Sequence, residues 1–163
     1  MPDRPSRVWK DMPVEKRQRA AEAFWRDTDS PDIKVQQMEA TVALARRLNF
    51  RAKSIQALSV ERRARHLAQV ADVTDAIAMR ALIAYHFADQ RPLMSAFLDG
   101  LGLAHDNGLI TAEEVAPPER DQLAAAVTAV RGSFDRSDVD LYLRTLAALD
   151  AVTWSNVDGL LEA

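Results

Sequence analysis

Cysteine is absent from the 163-residue chain. Its absence excludes disulfide bonds, thiolate metal sites and cysteine nucleophiles. The fold must therefore be held by packing, and a chain of this length buries about 70% of its unfolded surface.

Long apolar runs are also absent, as is a positively charged start followed by an apolar stretch. A helix that spans a bilayer needs about 18 consecutive apolar residues. A secretory signal needs a charged segment and an apolar segment in succession. The sequence therefore predicts a soluble, cytoplasmic protein with no membrane partner.

Glycine is scarce, with five in the chain, and no segment of useful length alternates apolar and polar residues. Abundant alanine and leucine favour helix over sheet. The sequence predicts an all-α fold with an N-terminal arm over residues 1–12. A single helical domain, a compact bundle of about six to eight helices, is predicted over residues 13–163.

Charge is unevenly placed along the chain, whose net charge is −3. Residues 1–91 carry 17 Lys and Arg against 12 Asp and Glu, a balance of +5, and residues 92–163 carry 4 against 12, a balance of −8. This uneven charge indicates either an ordinary solvated surface or a functional one. The functional interpretation is a basic face that binds an anionic partner, or head-to-tail self-association.

The most apolar helical pattern lies between Ala76 and Ala88, where only Arg80 and His86 are strongly polar. A helix that is apolar nearly all round is usually surrounded by others, so a central helix is predicted near residues 75–88. If Arg80 is buried it needs a carboxylate partner. The candidates are Asp99, Asp138 and Asp140, and the alternative is that Arg80 extends to solvent from an edge.

Three further segments carry specific predictions. In a helix from Pro31 to about Leu48, five apolar residues repeat at three and four positions and share one face: Val35, Met38, Val42, Ala45 and Leu48. In the arm, Pro2 and Pro5 argue against a regular element, and Trp9 is expected to dock on its own domain. A capping box at Thr111–Glu114 predicts a very short helix.

Seven basic residues between positions 46 and 65 are candidates for binding an anion or a partner: Arg46, Arg47, Arg51, Lys53, Arg62, Arg63 and Arg65. They form one surface if the helices flanking Phe50 pack side by side. Nucleic acid is one ligand for such a surface, although the acidic overall balance disfavours it. The alternative is favourable charge near a helix C-terminus.

The sharpest chemical signal is the run His105-Asp106-Asn107-Gly108. Together with His66 or His86 and a later aspartate, Asp138, Asp140 or Asp150, the adjacent pair resembles the ligand order of the HD superfamily of phosphohydrolases. The resemblance implies a metal site formed by His66, His86, His105 and Asp106 and is confined to these positions. The alternative is a chain reversal, because Asn-Gly is a strong turn signal.

Other catalytic motifs are missing. Gly100-x-Gly102 lacks the third glycine of a dinucleotide-binding loop, and neither a phosphate-binding Walker loop nor an HExxH zinc helix is present. No cofactor and no catalytic residue is therefore predicted. The sequence favours a non-catalytic helical module that binds another protein or itself, with an HD-like phosphohydrolase and a nucleic-acid or anion-binding protein as alternatives.

Overall fold

The computed structural model of the chain describes residues 3–161. This range contains ten α-helices, seven of which have nine residues or more, so the all-α prediction is confirmed. The chain divides into two compact units, Pro5–Tyr85 and a second that joins residues 3–4 to residues 86–161. Within the described range, no helix combines the length and the apolar character needed to cross a bilayer.

The first unit is built from helices only. In chain order they are α1 Pro5–Asp11, α2 Val14–Arg26, α3 Ile33–Leu48, α4 Ala52–Gln56, α5 Val60–Ala68 and most of α6 Asp75–Asp89. Helix α2 packs along α5, and α3 packs against both α4 and α5.

Helix α1 shows that the prediction of an irregular N-terminal arm was wrong for residues 5–11. Pro5 stands at the first helical position, where its missing N–H costs no hydrogen bond. Trp9 is fully buried, and its Nε1 donates to the carbonyl of Val70 at 2.8 Å. The predicted docking of Trp9 within the chain is therefore confirmed. Pro2, the other proline of the arm, lies outside the described residues.

Helix α6 is the predicted apolar helix, and the structure places it at Asp75–Asp89. Thr74 directly precedes the helix, and its Oγ1 accepts a hydrogen bond from the Ile77 backbone N–H at 3.3 Å. Its buried side chains come from both sides of the helix: Ile77, Ala78, Ala81, Leu82, Ala84, Tyr85 and His86. This burial agrees with a helix whose apolar residues surround its axis.

The second unit has one hydrophobic core. Its elements are α7 Arg91–Leu101, a hairpin of β1 His105–Asp106 and β2 Leu109–Ile110, α8 Arg120–Ser133, α9 Arg136–Leu149, a 3-10 helix Ser155–Val157 and α10 Asp158–Leu161. The core includes Phe97, Leu123, Val139, Tyr142 and Trp154. Helix α7 packs closely on α8, since a Cβ on Gly100 would lie only 3.3 Å from the Ala126 Cβ.

The hairpin forms where the sequence predicted a turn. Its strands pair His105 with Ile110 and Asp106 with Leu109. Asn107 and Gly108 have φ of 48° and 93°, and positive φ at both central residues is typical of the type I′ turn that suits an Asn-Gly hairpin. Ile110 packs against the core, whereas Leu109 is exposed.

The predicted short helix after Thr111 is absent, because residues 111–119 have no helical conformation. Glu113, Glu114 and Ala116 are exposed. Without an apolar face to bury, a helical turn there has no packing to offset the cost of nucleation.

Candidate interaction surface

Helix α3 has apolar residues on two opposite faces. At 100° per residue, Ile33, Ala40 and Leu44 lie within about 40° of one another and are buried. On the other side of the helix, about 180° away, lies a second apolar row. It consists of Val35, Met38 and Val42, which are 62%, 48% and 38% exposed. We call these three residues the α3 stripe.

The five residues predicted to share one face of α3 therefore divide. Ala45 is buried and Leu48 half-buried, whereas the α3 stripe faces solvent. The spacing therefore identified an apolar row on α3, but the other helices cover the opposite face, which carries Ile33, Ala40 and Leu44.

Helix α3 ends at a left-handed cap. Asn49 has φ of 56°, and the amide of Phe50 donates to the carbonyl of Ala45 at 2.8 Å. This bonding satisfies carbonyls that would otherwise end the helix unpaired. Arg46 and Arg47 lie in the last turn, where positive charge favours the helix dipole.

The predicted basic residues all lie in the first unit, and most of them are exposed. Arg46 and Arg47 are on α3, Arg51 and Lys53 are at α4, and Arg62, Arg63 and Arg65 are on α5. Arg63 is the half-buried member of the set.

Arg63 and Arg47 make contacts within their own unit. The Arg63 guanidinium stacks over the Trp25 ring, 5.0 Å from its centroid. Arg47 donates weakly to the carbonyl of Gln69 at 3.4 Å. Arg63 thus packs on the fold, and the exposed members, Arg46, Arg47, Arg51, Lys53, Arg62 and Arg65, remain candidates for contact with a partner.

The division into units also separates charge. Pro5–Tyr85 carries 15 Lys and Arg against 10 Asp and Glu, a balance of +5, and the rest of the chain carries 6 against 14, a balance of −8. The basic half of the sequence therefore corresponds to one folded unit.

His105 has hydrogen bonds at both ring nitrogens. Its Nε2 lies 2.6 Å from Asp99 Oδ1, and its Nδ1 accepts from the Gly108 amide at 3.1 Å. Because an amide can only donate, Nδ1 carries no proton in this arrangement and Nε2 donates to Asp99. The ring therefore ties the hairpin to helix α7.

Arg91 holds the same hairpin from the start of α7. It donates to the carbonyls of Asn107 at 2.8 Å and Phe87 at 2.9 Å, and it lies over the Phe87 ring. This role of Arg91 could not be predicted from the sequence, because its acceptors are backbone carbonyls, which every residue type carries.

The other residues of the metal hypothesis lie in different settings. His66 is half-buried on α5 in the first unit. His86 is buried in the second unit with its ring 5.4 Å from that of Tyr142, and Asp106 is exposed on the hairpin. Across residues 3–161, no group of three or more His, Asp or Glu is placed to hold a metal ion.

Replacing His105 with alanine is expected to lower the free energy of unfolding by about 1–2 kcal/mol, because each lost hydrogen bond contributes about 1 kcal/mol. The matched variant Asp106→Ala removes an exposed neighbour and should change the free energy by no more than about 0.5 kcal/mol. Urea titrations followed by circular dichroism measure both. Equal effects of the two variants would contradict the proposed tie.

Arg80 influences Asp27, a carboxylate that was not among its predicted partners. The side chain is half-buried, and its charge acts on Asp27. Burial alone would raise the pKa of Asp27, but hydrogen bonds from Ser30 and Asp29 and the charge of Arg80 hold that pKa below its ordinary value. Of the predicted partners, Asp99 contacts His105, and Asp140 pairs with Arg131 at 2.9 Å.

Among the described residues of the second unit, Tyr142 is the only tyrosine, and it lies in the hydrophobic core. Burial raises the pKa of its hydroxyl well above the ordinary value. Its ring packs edge-on against Phe97 and beside His86. These contacts describe a structural role for Tyr142 and His86 in the core.

Comparison of the chain with protein-family models, with curated proteins and with solved structures found no match.

Proposed function

We propose that the protein is a non-catalytic helical interaction module and that the α3 stripe is its contact surface for a protein. The observation that carries the proposal is the second apolar face of α3, which the fold leaves in water. Single exposed apolar residues are normal on a protein surface. Three of them on successive turns of one helix form a row instead.

The spacing of the stripe suits a helical partner. Residues three and four positions apart are the anchors by which one helix packs on another. Covering a Val or Met side chain completely contributes about 1.5–3 kcal/mol. The stripe side chains are 38–62% exposed, so covering what remains contributes about half of this per residue, a gain that suits weak and reversible association.

Charge around the stripe defines the rim of the proposed contact. Arg46 lies one helical turn beyond Val42 and is exposed, as are Arg51 and Lys53 in the segment that follows. Positive charge at this end of the stripe mainly increases the rate of association with a partner that is acidic where it faces this end. We therefore expect acidic residues on the partner opposite the C-terminal end of α3. We place this interaction in the cytoplasm, as the sequence predicts.

The test uses a double variant, Val35→Asp with Met38→Asp, which puts charge into the stripe without touching the buried face of α3. Val152→Asp is the matched control, because Val152 is 80% exposed and lies in the other unit. Proteins retained by the wild-type chain are identified, purified and titrated against all three forms. Sedimentation of each form alone detects self-association.

A true partner should lose at least about 100-fold in affinity for the stripe variant, because the variant loses about 2 kcal/mol of apolar burial and must also desolvate two introduced carboxylates on binding. It should bind the control like the wild type. The proposal fails if every interaction of the wild type, with itself or with another purified protein, survives the stripe substitutions.

Binding of nucleic acid through the basic residues 46–65 remains a separate prediction. Such binding must weaken steeply with added salt, because it releases counterions from phosphates. Titration of duplex and single-stranded oligonucleotides at low salt checks it, and an absence of binding there removes it.

A further inference from the structure

We infer that the protein which covers the α3 stripe is a second copy of the chain, packed antiparallel through the same stripe across a two-fold axis near Met38. This inference rests on the proposed function, because it identifies the partner of that surface. It needs no residue beyond those already exposed on α3 and in the loop before it.

The stripe is complementary to itself in one orientation. In an antiparallel pair centred between positions 38 and 39, Val35 of one copy lies opposite Val42 of the other. Met38 then lies near the axis and meets Met38 of the second copy. Two β-branched side chains at the ends and a flexible thioether at the centre form a row without a gap. A two-fold contact of one patch with itself is the commonest arrangement in homo-oligomers.

Charge along α3 selects the antiparallel orientation. The loop before the helix carries the exposed carboxylates of Asp29 and Asp32, and the last turn carries the exposed Arg46, which lies about 40° from Val42 around the helix axis. An antiparallel pair places Arg46 of each copy near these aspartates of the other. A parallel pair would place arginine beside arginine and would align the two helix dipoles unfavourably.

The two charged ends of α3 are too far apart to influence each other strongly. Sixteen residues of α-helix span about 24 Å, whereas charges in solution are screened over about 10 Å at 0.1 M salt. Each end of α3 therefore responds to what lies beside it, and the +5 balance of the whole unit acts only as a weak repulsion.

The contact is expected to be weak and reversible. The α3 stripe does not continue past Val42, because Ala45, the next residue in the three-and-four spacing, is buried. The apolar contact between two copies is therefore short. Small contacts of this kind fall below the roughly 1,200 Å² typical of stable complexes. We expect a dimer that forms with rising concentration and dissociates on dilution.

The salt dependence of the dissociation constant distinguishes this dimer from a head-to-tail dimer, in which the basic unit of one copy binds the acidic unit of another. Exposed ion pairs contribute only about 0–1 kcal/mol each, so covered apolar side chains dominate the antiparallel contact. Its dissociation constant should change less than about tenfold between 50 and 500 mM salt, an estimate from that small ionic share. Association of the +5 unit with the −8 unit should weaken far more steeply.

The absence of cysteine allows a direct test of the geometry. Single-cysteine variants Val35→Cys, Met38→Cys and Val42→Cys are equilibrated in a glutathione buffer, with Val152→Cys as the exposed control. A disulfide forms only where two Cβ atoms come within about 3.5–4.5 Å. A redox buffer lets disulfides from random collisions reverse.

The antiparallel dimer predicts a specific pattern. Met38→Cys should link to itself, and a mixture of Val35→Cys with Val42→Cys should give the mixed dimer. Each should exceed the control yield by about tenfold or more, and the two valine variants alone should not. Self-linked dimers of both valine variants without the mixed dimer would establish a parallel pair, and links between positions 35 and 152 would establish head-to-tail contact. Either result overturns the inference.

A monomer at every concentration, with no stripe-dependent disulfide, also overturns it. The proposed function is judged separately. It survives if a different purified protein binds the wild type and Val152→Asp but not the Val35→Asp, Met38→Asp variant. It fails together with the inference only if neither kind of binding depends on the stripe.

Discussion

Replacing Trp9 with alanine is expected to lower the free energy of unfolding by about 3–5 kcal/mol. The side chain is fully buried, and its Nε1 donates to the Val70 carbonyl at 2.8 Å. Truncation removes the largest apolar side chain of α1 and also leaves that carbonyl without its donor. A urea titration followed by far-ultraviolet circular dichroism measures the loss.

Trp9→Phe is the matched control for this prediction. It keeps most of the apolar contact and removes the indole N–H, so the loss should be clearly smaller than for alanine. The comparison separates packing from the hydrogen bond. A Trp9→Ala protein within about 0.5 kcal/mol of the wild type, the range of surface substitutions, would mean that α1 is not part of the folded unit.

Replacing Phe97 with alanine should have an effect of similar size, about 3–5 kcal/mol, in the second unit. Phe97 is fully buried, with ring centroids 5.5 Å from Tyr142 and 5.9 Å from Trp154. Its removal leaves a cavity and breaks two aromatic contacts, each of which contributes about 0.5–1.5 kcal/mol beyond burial. Chemical denaturation followed by circular dichroism measures the loss.

Val152→Ala provides the control in the same unit, because Val152 is 80% exposed and should change the free energy of unfolding by no more than about 0.5 kcal/mol. If Phe97→Ala and Val152→Ala prove equally mild, then the aromatic cluster around Tyr142 does not carry the stability of this unit.

The regular helices could be predicted from the sequence because their signals are local. The apolar pattern around Leu82, the proline near the start of α7 and the cap at Ser59 each lie within one element. Ser59 accepts from the Arg62 amide at 3.2 Å, as an N-cap should. Helix α1 was missed because Pro5 disfavours the interior of a helix but suits its first turn. The burial of Trp9, which stabilises α1, depends on Val70, 61 positions away.

The candidate surface shows the limit of periodicity more clearly. Spacing identifies Val35, Met38 and Val42 as one row, but Ile33, Ala40 and Leu44 form a second row that is equally regular. Which row is covered depends on the other helices of the unit. The same limit applies to Arg80, whose charge acts on Asp27, 53 positions earlier. It also applies to the hairpin, whose two-residue strands are too short for a period of two to be recognised.

The hairpin turn has a consequence for the chemical ageing of the protein. An asparagine followed by glycine deamidates when the glycine amide nitrogen attacks the asparagine side-chain carbonyl, and the product is often isoaspartate. Here the Gly108 amide donates to His105, and a Cβ at Gly108 would lie 2.9 Å from the Met94 Cβ, so this part of the turn has little room to move. The folded chain should therefore keep Asn107 intact far longer than the unfolded chain. The fraction of isoaspartate at this position then records how much time a preparation has spent with its hairpin open.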